Sequence, residues 1–206
     1  MKEQLQKDFD NTIRNLTLSQ KDIEIKKFYL DNFINKGFPN RKEEDWKFSD
    51  LNQIIKKNIG ELSFYSDYTS TNKVDTSAFV DGLEHNKIVF INGRIEKIDF
   101  DYEKKDQIEI IDQSETINKF NNNSSLSDLN SAFTNKSFKI VVKEGYQLTK
   151  PLIIYHTTNS KIWSKNINLR LNFELYENSS LRLIDLFRDT SEKNFLNIFY
   201  NFDLKE

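Results

Sequence analysis

Apolar side chains recur every three or four positions through the first 60 residues, which is the period of an amphipathic helix. Three helices are predicted there, over residues 2–16, 19–36 and 50–60. Ser19 favours a helix start because its hydroxyl can accept a hydrogen bond from the first turn, and Gly37 favours a helix end because glycine readily takes positive φ. Apolar stripes of this kind usually face a core, so we assign residues 1–60 to an N-terminal helical domain.

From residue 61 to residue 86 the chain is rich in Ser, Thr, Asn and Asp without a sustained period, which predicts a linker. Beyond it the apolar residues follow the pattern of strands. Asn92-Gly93 separates two apolar runs and predicts a type I′ hairpin turn, because both residues accept positive φ. Further strands are predicted at 108–111, 138–142, 152–155, 167–175, 181–187 and 195–204, and a short helix at 126–133.

This order of elements predicts a mainly β fold that follows an N-terminal α-helical domain. Short strands separated by polar corners occur both in β-sandwiches and in solenoids whose coils stack on one another. The spacing of the strands leaves both architectures open and slightly favours the sandwich.

The hinge between the second and third predicted helices has the most distinctive pattern in the chain. Its local chemistry is helical, because Glu43 can pair with Lys47 four positions later and Trp46 is large enough to anchor the segment by burying its ring. Seven residues stand out by their order: Gly37, Pro39, Arg41, Glu44, Asp45, Trp46 and Lys47. In this order they resemble the N-terminal signature of the SufD family of iron–sulfur cluster assembly proteins. Phe48 and Ser49 replace the Tyr and Thr that are commoner in that signature.

Three later stretches, 90–93, 129–133 and 151–154, extend the resemblance from the hinge to residue 206. The family's core is a right-handed parallel β-helix, so the resemblance reverses the preference for a sandwich. The fold class expected is therefore mainly β, with a right-handed parallel β-helix core that begins in residues 87–206 and is incomplete. The family's later helical domain has no counterpart here, so the chain is expected to correspond to an N-terminal portion only.

The resemblance implies a non-catalytic scaffold subunit of the SUF iron–sulfur cluster assembly complex. Its implied partners are a paralogous SufB-like protein and a SufC-like ABC-type ATPase, which bind family members through regions beyond this chain. The cluster is handled by the complex, and no cofactor or metal is expected on this chain. The seven hinge residues are interpreted as structural, and no catalytic residue is assigned.

Composition narrows the possible functions. The chain has 30 Lys and Arg against 32 Asp and Glu, so it lacks the positive footprint of a nucleic-acid-binding protein. No run approaches the ~18 apolar residues of a membrane span, and the first residues are unlike a signal peptide, which predicts a cytoplasmic protein. There is no cysteine, so no thiolate can hold an iron–sulfur cluster or carry a persulfide.

Two histidines and one polar row are the remaining candidates for chemistry. His85 is expected to be exposed, and His156 is expected to be a strand-end residue rather than a catalytic base. Alternation along a strand places Arg170, Asn172 and Glu174 on one face, near a second polar run that contains Arg182 and Asp185. That face is either a solvated wall or part of a carbohydrate-like or metal-handling groove. A carbohydrate-binding or carbohydrate-active β-helix protein is therefore the alternative function.

Overall fold

A computed structural model of the chain describes residues 2–64, 79–113, 124–158, 162–188 and 193–206. Residues 65–78, which make up most of the predicted linker 61–86, lie outside the described residues.

Among the described residues, three helices precede the first strand, as predicted: α1 (Lys2–Arg14), α2 (Gln20–Lys36) and α3 (Leu51–Asn58). The predicted caps of α2 and α3 are confirmed. The hydroxyl oxygen of Ser19 accepts a hydrogen bond from the N–H of Asp22 at 3.2 Å, and the carboxylate of Asp50 accepts one from the N–H of Gln53 at 2.9 Å. A fourth helix, α4 (Ser125–Phe133), lies where the predicted short helix was placed.

In the part of the chain that the structure describes, eight strands follow the helical region, with α4 between the third and the fourth. They are β1 (Asn86–Ile91), β2 (Arg94–Asp99), β3 (Ile108–Asp112), β4 (Ser137–Val142), β5 (Leu152–Thr157), β6 (Asn166–Leu175), β7 (Leu183–Arg188) and β8 (Phe195–Leu204). The first sheet has the order β2-β1-β5-β7, and the second has the order β3-β4-β6-β8. Asn92 and Gly93 have φ of 54° and 77° and turn the chain directly from β1 into β2, which confirms the predicted hairpin.

The predicted fold class, mainly β with a right-handed parallel β-helix core, is wrong. The described residues form a mixed α/β structure with four helices and two four-stranded mixed sheets. Each sheet combines one antiparallel pair, β1–β2 or β3–β4, with parallel pairs. In the first sheet the cause is local, because the Asn92-Gly93 turn folds β2 back beside β1 and places an antiparallel strand at that edge.

The space between the two sheets is filled by the apolar faces of both. Ile88 and Ile154 of the first sheet and Ile140, Leu171 and Phe173 of the second are at most 1% exposed. Successive strands from β4 to β8 alternate between the sheets, and the pairs β4–β6, β5–β7 and β6–β8 are all parallel. As a result, β7 and β8 are the last strands of their sheets on the same side of the structure.

A separate apolar cluster holds the N-terminal helices together and extends to α4. Leu30 and Phe33 of α2 pack with Leu129 and Phe133 of α4, and all four are buried. The partly buried Phe195 at the start of β8 packs against the same cluster. Helix α4 therefore lies between the N-terminal helices and the outer face of the second sheet.

Candidate functional site

The hinge with the seven-residue motif is fixed by main-chain contacts at both of its ends. Gly37 follows α2 with φ of 73°, and its N–H donates a hydrogen bond to the carbonyl of Phe33 at 2.7 Å. Pro39 is buried, and its carbonyl accepts a hydrogen bond from the N–H of Leu51 at 3.1 Å. These bonds join the end of α2 to the start of α3, which is a structural role for Gly37 and Pro39.

The charged residues of the motif lie at the surface around one turn of 3-10 helix, Glu44–Trp46. Lys47 pairs with Glu44 at 2.9 Å, whereas the sequence predicted Glu43 as its partner. The carboxylate of Glu43 instead accepts a hydrogen bond from the N–H of Asn40 at 3.2 Å. The exposed members of the motif are Arg41, Glu44, Asp45 and Lys47. An exposed ion pair of this kind contributes little to stability.

Trp46 is only partly buried, and it packs against the apolar cluster of the N-terminal helices. The neighbouring Phe48 is 86% exposed. Trp46 therefore contributes to the packing of the helical region, while the hinge around it stays accessible.

The polar row of β6 is neither a solvated wall nor a groove, because α4 covers its first member. Arg170 is 6% exposed, and its guanidinium donates hydrogen bonds to the side chains of Asn130 and Ser131 at 3.2 and 2.8 Å. The guanidinium also lies 4.6 Å from the ring centre of Phe199 on β8. Burial lowers the pKa of Arg170 to about 10. Arg170 is thus a packing residue of the interface between α4 and the second sheet.

The other members of the row are engaged within the chain. Glu174 accepts a hydrogen bond from Lys139 at 2.8 Å, and this contact, followed by one from Tyr176, lowers the pKa of Glu174. The side-chain amide of Asn172 donates to Gln113 at 3.3 Å. Because of these contacts, β6 does not present a row of carboxylates that are available to a ligand.

A second buried cation lies at the end of α4. Lys26 of α2 is 2% exposed, and its ammonium group donates to the main-chain carbonyls of Ser131, Ala132 and Thr134 at 2.5–3.4 Å. A helix C-terminus attracts cations because its last carbonyls point outward. Burial, followed by the positive charge of Arg170, nevertheless lowers the pKa of Lys26 to about 7, against a smaller opposite effect of Asp22.

Both histidines are buried, so the prediction that His85 is exposed is wrong. His85 is 2% exposed, and its ring nitrogens lie 2.5 Å from the carbonyl of Leu83 and 2.7 Å from the hydroxyl of Tyr155. His156 is the fifth of six residues in β5, close to the strand end as predicted. Its Nε2 atom lies 2.9 Å from Asp185 and 3.0 Å from the hydroxyl of Tyr200.

A groove of about 1130 Å³ lies beside α1, α3 and the segment after α3. Its apolar wall includes Phe38 and Trp163, and the Trp163 ring is 56% exposed. The charged lining residues are Glu3, Lys7, Lys56 and Glu61. Because both signs of charge are present in equal number, the groove does not favour an anionic or a cationic ligand.

A further candidate surface is the pair of strand edges formed by β7 and β8. Each is the last strand of its sheet, and within the described ranges nothing pairs with its outer edge. Phe187, Phe202 and Leu204 on these strands are 58%, 52% and 73% exposed. Phe202 stacks on the fully buried Phe173 at 4.9 Å, so the aromatic packing of the core continues to the surface. Open strand edges with exposed apolar side chains are surfaces to which other strands add.

The sequence reasoning missed Lys26 and Tyr200. Lys26 lies four positions before Leu30 and seven before Phe33, so the helical period that identified the stripe of α2 also places this lysine on its buried face. Tyr200 had no comparable signal, because its partners His156 and Asp185 come from two other strands.

In the part of the chain that the structure describes, no three His, Asp or Glu side chains come together as a metal-binding group. None of the described helices combines the length and the apolar character that a bilayer crossing requires. No family model matches this chain, and no curated protein matches its sequence at a significant level.

Proposed function

We propose that this chain is a scaffold subunit of a SUF-type iron–sulfur cluster assembly complex, acting in the cytoplasm by binding partner proteins. Two features support the proposal: the seven-residue motif that resembles the SufD family, and the open edges of β7 and β8. The edges are the observation on which the proposal depends most, because they offer main-chain groups and apolar side chains to a partner at the same place.

The chemistry of these edges favours a partner that is itself built of strands. A strand added to β7 or β8 would form main-chain hydrogen bonds along the edge, and its apolar side chains would cover Phe187, Phe202 and Leu204. The paralogous SufB-like protein that the resemblance implies is a partner of this kind. The resemblance implies that its contacts lie beyond this chain, so a contact at the β7 and β8 edges is our own proposal. The resemblance also implies a SufC-like ATPase as a second partner of the complex. We assign no surface of this chain to it.

The contacts of the polar row do not favour the carbohydrate alternative. An oligosaccharide site needs polar groups that are free to contact hydroxyl groups of the sugar. Arg170 is buried beneath α4, and Glu174 is held by Lys139. The residues that suggested the alternative are therefore engaged in the fold itself.

Co-expression with SufB-like and SufC-like proteins of the same source, followed by affinity capture of this chain, tests the proposal. We expect the SufB-like protein to be retained by the unchanged chain. The double variant Phe202→Asp/Leu204→Asp should lose it, because two carboxylates on the β8 edge would have to be desolvated on binding. Ile98→Asp is the matched control, since Ile98 is a 49% exposed residue of β2, at the opposite edge of the first sheet.

Circular dichroism of each variant distinguishes a lost interface from a lost fold. Failure of the unchanged chain to retain a SufB-like protein would contradict the proposal. Equal retention by the double variant and the Ile98 control would contradict the assignment of the β7 and β8 edges.

A further inference from the structure

Three side chains from three strands converge between the two sheets, next to the open edge. His156 is on β5, Asp185 on β7 and Tyr200 on β8. Nε2 of His156 lies 2.9 Å from Oδ1 of Asp185 and 3.0 Å from the hydroxyl oxygen of Tyr200. The fold thus assembles one nitrogen and two oxygen atoms that lie far apart in the sequence.

The imidazole is held in one orientation by the rings on either side of it. Parallel pairing places Phe90, His156 and Phe187 at the same level of three neighbouring strands. The imidazole stacks on Phe90 with ring centres 5.2 Å apart and on Phe187 with ring centres 5.0 Å apart. His156 itself is 2% exposed. Its Nε2 atom is therefore fixed toward Asp185 and Tyr200.

The arrangement differs from a catalytic relay. In a relay the carboxylate and the hydroxyl contact opposite nitrogens of the imidazole. Here both oxygens approach the same nitrogen, which can donate one hydrogen at most. Oδ1 of Asp185 is closed to solvent and lies 2.9 Å from Nε2 without a well-directed hydrogen bond from the residues that the structure describes, while the hydroxyl of Tyr200 donates a hydrogen bond to the same carboxylate group. A buried carboxylate oxygen in this situation requires a physical explanation, and a bound ion is one.

We propose that Nε2 of His156, Oδ1 of Asp185 and the hydroxyl oxygen of Tyr200 form one face of a binding site for a first-row divalent transition-metal ion. Neighbouring ligand atoms of an octahedral ion with bonds of about 2.1 Å lie about 3.0 Å apart, and the two distances from Nε2 are compatible with this spacing. The imidazole nitrogen favours ions such as Zn²⁺, Co²⁺ or Fe²⁺ over Mg²⁺.

Access to the site comes from the open edge of the sheets. The side chain of Asp185 is 25% exposed, so water can reach the carboxylate and complete the coordination of an ion. A tyrosine phenol is neutral at pH 7 and gives up its proton only at about pH 10, so the hydroxyl of Tyr200 is the weakest of the three donors. Loss of Asp185 should weaken binding more than loss of the Tyr200 hydroxyl.

Equilibrium dialysis of the chelator-treated full chain against Zn²⁺, Co²⁺ and Mg²⁺ tests the site. We expect one Zn²⁺ or Co²⁺ per chain and no stoichiometric Mg²⁺ at the same concentration. Asp185→Asn and His156→Gln should each lower the Zn²⁺ affinity by about 10- to 100-fold or more, and Tyr200→Phe by less. Tyr155→Phe is the matched control, because Tyr155 contacts His85 at 2.7 Å in a second buried His–Tyr pair; its affinity should equal that of the unchanged chain.

Thermal melts with and without Zn²⁺ keep the inference testable if a variant is less stable. The melting temperature of the unchanged chain and of Tyr155→Phe should rise with Zn²⁺, and that of Asp185→Asn should not. Absence of stoichiometric Zn²⁺ and Co²⁺ binding, or equal affinity in Asp185→Asn, would mean that the three residues form only a structural polar contact. The site does not depend on the proposed partners, so this result and the capture experiment are independent.

Discussion

Glu103 and Tyr146 are joined by a hydrogen bond of 2.7 Å between the carboxylate and the phenol, across 43 positions of sequence. The same carboxylate accepts hydrogen bonds from the amide of Asn86 at 2.8 Å and from the main-chain N–H groups of Thr149 and Lys150 at 3.1 Å each. A single buried side chain thus ties the turn before β3 to the start of β1 and to the loop before β5.

Glu103→Gln should lower the free energy of unfolding by about 1–3 kcal/mol, because an amide cannot accept at every position that the carboxylate serves and leaves buried donors unpaired. Urea denaturation at pH 7 measures the change. Glu144→Gln is the matched control, since Glu144 is exposed, and it should leave stability unchanged within about 0.5 kcal/mol.

The effect of Glu103 should also depend on pH. Burial raises the pKa of this carboxyl, but the hydrogen bonds from Asn86, Tyr146, Lys150 and Thr149 outweigh it and lower the pKa. The stabilisation is therefore fully present above the unfolded value of about 4.3 and is lost as the pH falls through the lowered folded value. The difference between the unchanged chain and Glu103→Gln should shrink over that acidic range. A difference that stays constant down to pH 2 would contradict the assignment.

Lys26 gives a pH dependence of the same sign in a higher pH range. Its pKa is about 7 in the folded chain and 10.5 in the unfolded one, so between these values the unfolded chain holds one more proton. The free energy of unfolding should therefore rise from pH 7 to pH 10 by an amount on the order of 3–4 kcal/mol.

Lys26→Met removes this titration and should flatten the rise. Lys27→Met is the matched control, because Lys27 is exposed on the same helix. Denaturant unfolding at a series of pH values compares the three proteins, and the difference between the two variants isolates Lys26 from other groups that titrate in the range. A rise in Lys26→Met as large as in Lys27→Met would show that the buried amine is not its source.

Trp46→Ala should lower the free energy of unfolding by about 1–3 kcal/mol, less than the ~3–5 kcal/mol of a fully buried aromatic residue. The reason is that Trp46 is only partly buried where it packs against the helical cluster. Phe48→Ala should have no measurable effect, since Phe48 is 86% exposed. Thermal melts of the full chain measure both, and equal effects of the two substitutions would contradict the packing of Trp46.

Local features of the fold could be predicted because their causes lie within a few residues. The caps at Ser19 and Asp50, the end of α2 at Gly37 and the turn at Asn92-Gly93 all depend on neighbours in sequence. The arrangement of the strands could not be predicted from the sequence. Strand pairing depends on contacts between residues far apart in the chain, such as those between β4 and β6 across 30 residues or more. A resemblance carried by the hinge and three short later stretches gives no information on which strands pair in antiparallel fashion.

In the candidate sites, too, the sequence predicted local features but not the contacts between distant elements. Alternation placed Arg170 correctly on the face opposite Leu169 and Leu171, but it could not show that α4 covers this face. The sequence places Asp185 in a polar run and predicts His156 to be a strand-end residue. Only the pairing of β5 with β7 and the packing of the two sheets bring these residues to Tyr200.

The open edges of β7 and β8 lead to a last prediction, that the purified chain self-associates at micromolar concentration when no partner is present. Main-chain groups on both edges and the exposed side chains of Phe202 and Leu204 can pair with the same edges of another copy. Light scattering should give an average mass above that of a monomer, and this mass should increase with concentration. Phe202→Lys/Leu204→Lys should shift the distribution toward the monomer, because lysines on an edge strand oppose pairing. Ile98→Lys on β2 is the control and should leave the distribution unchanged. A monomer over the whole concentration range, or equal masses for the double variant and the Ile98 control, would show that these edges do not accept strands.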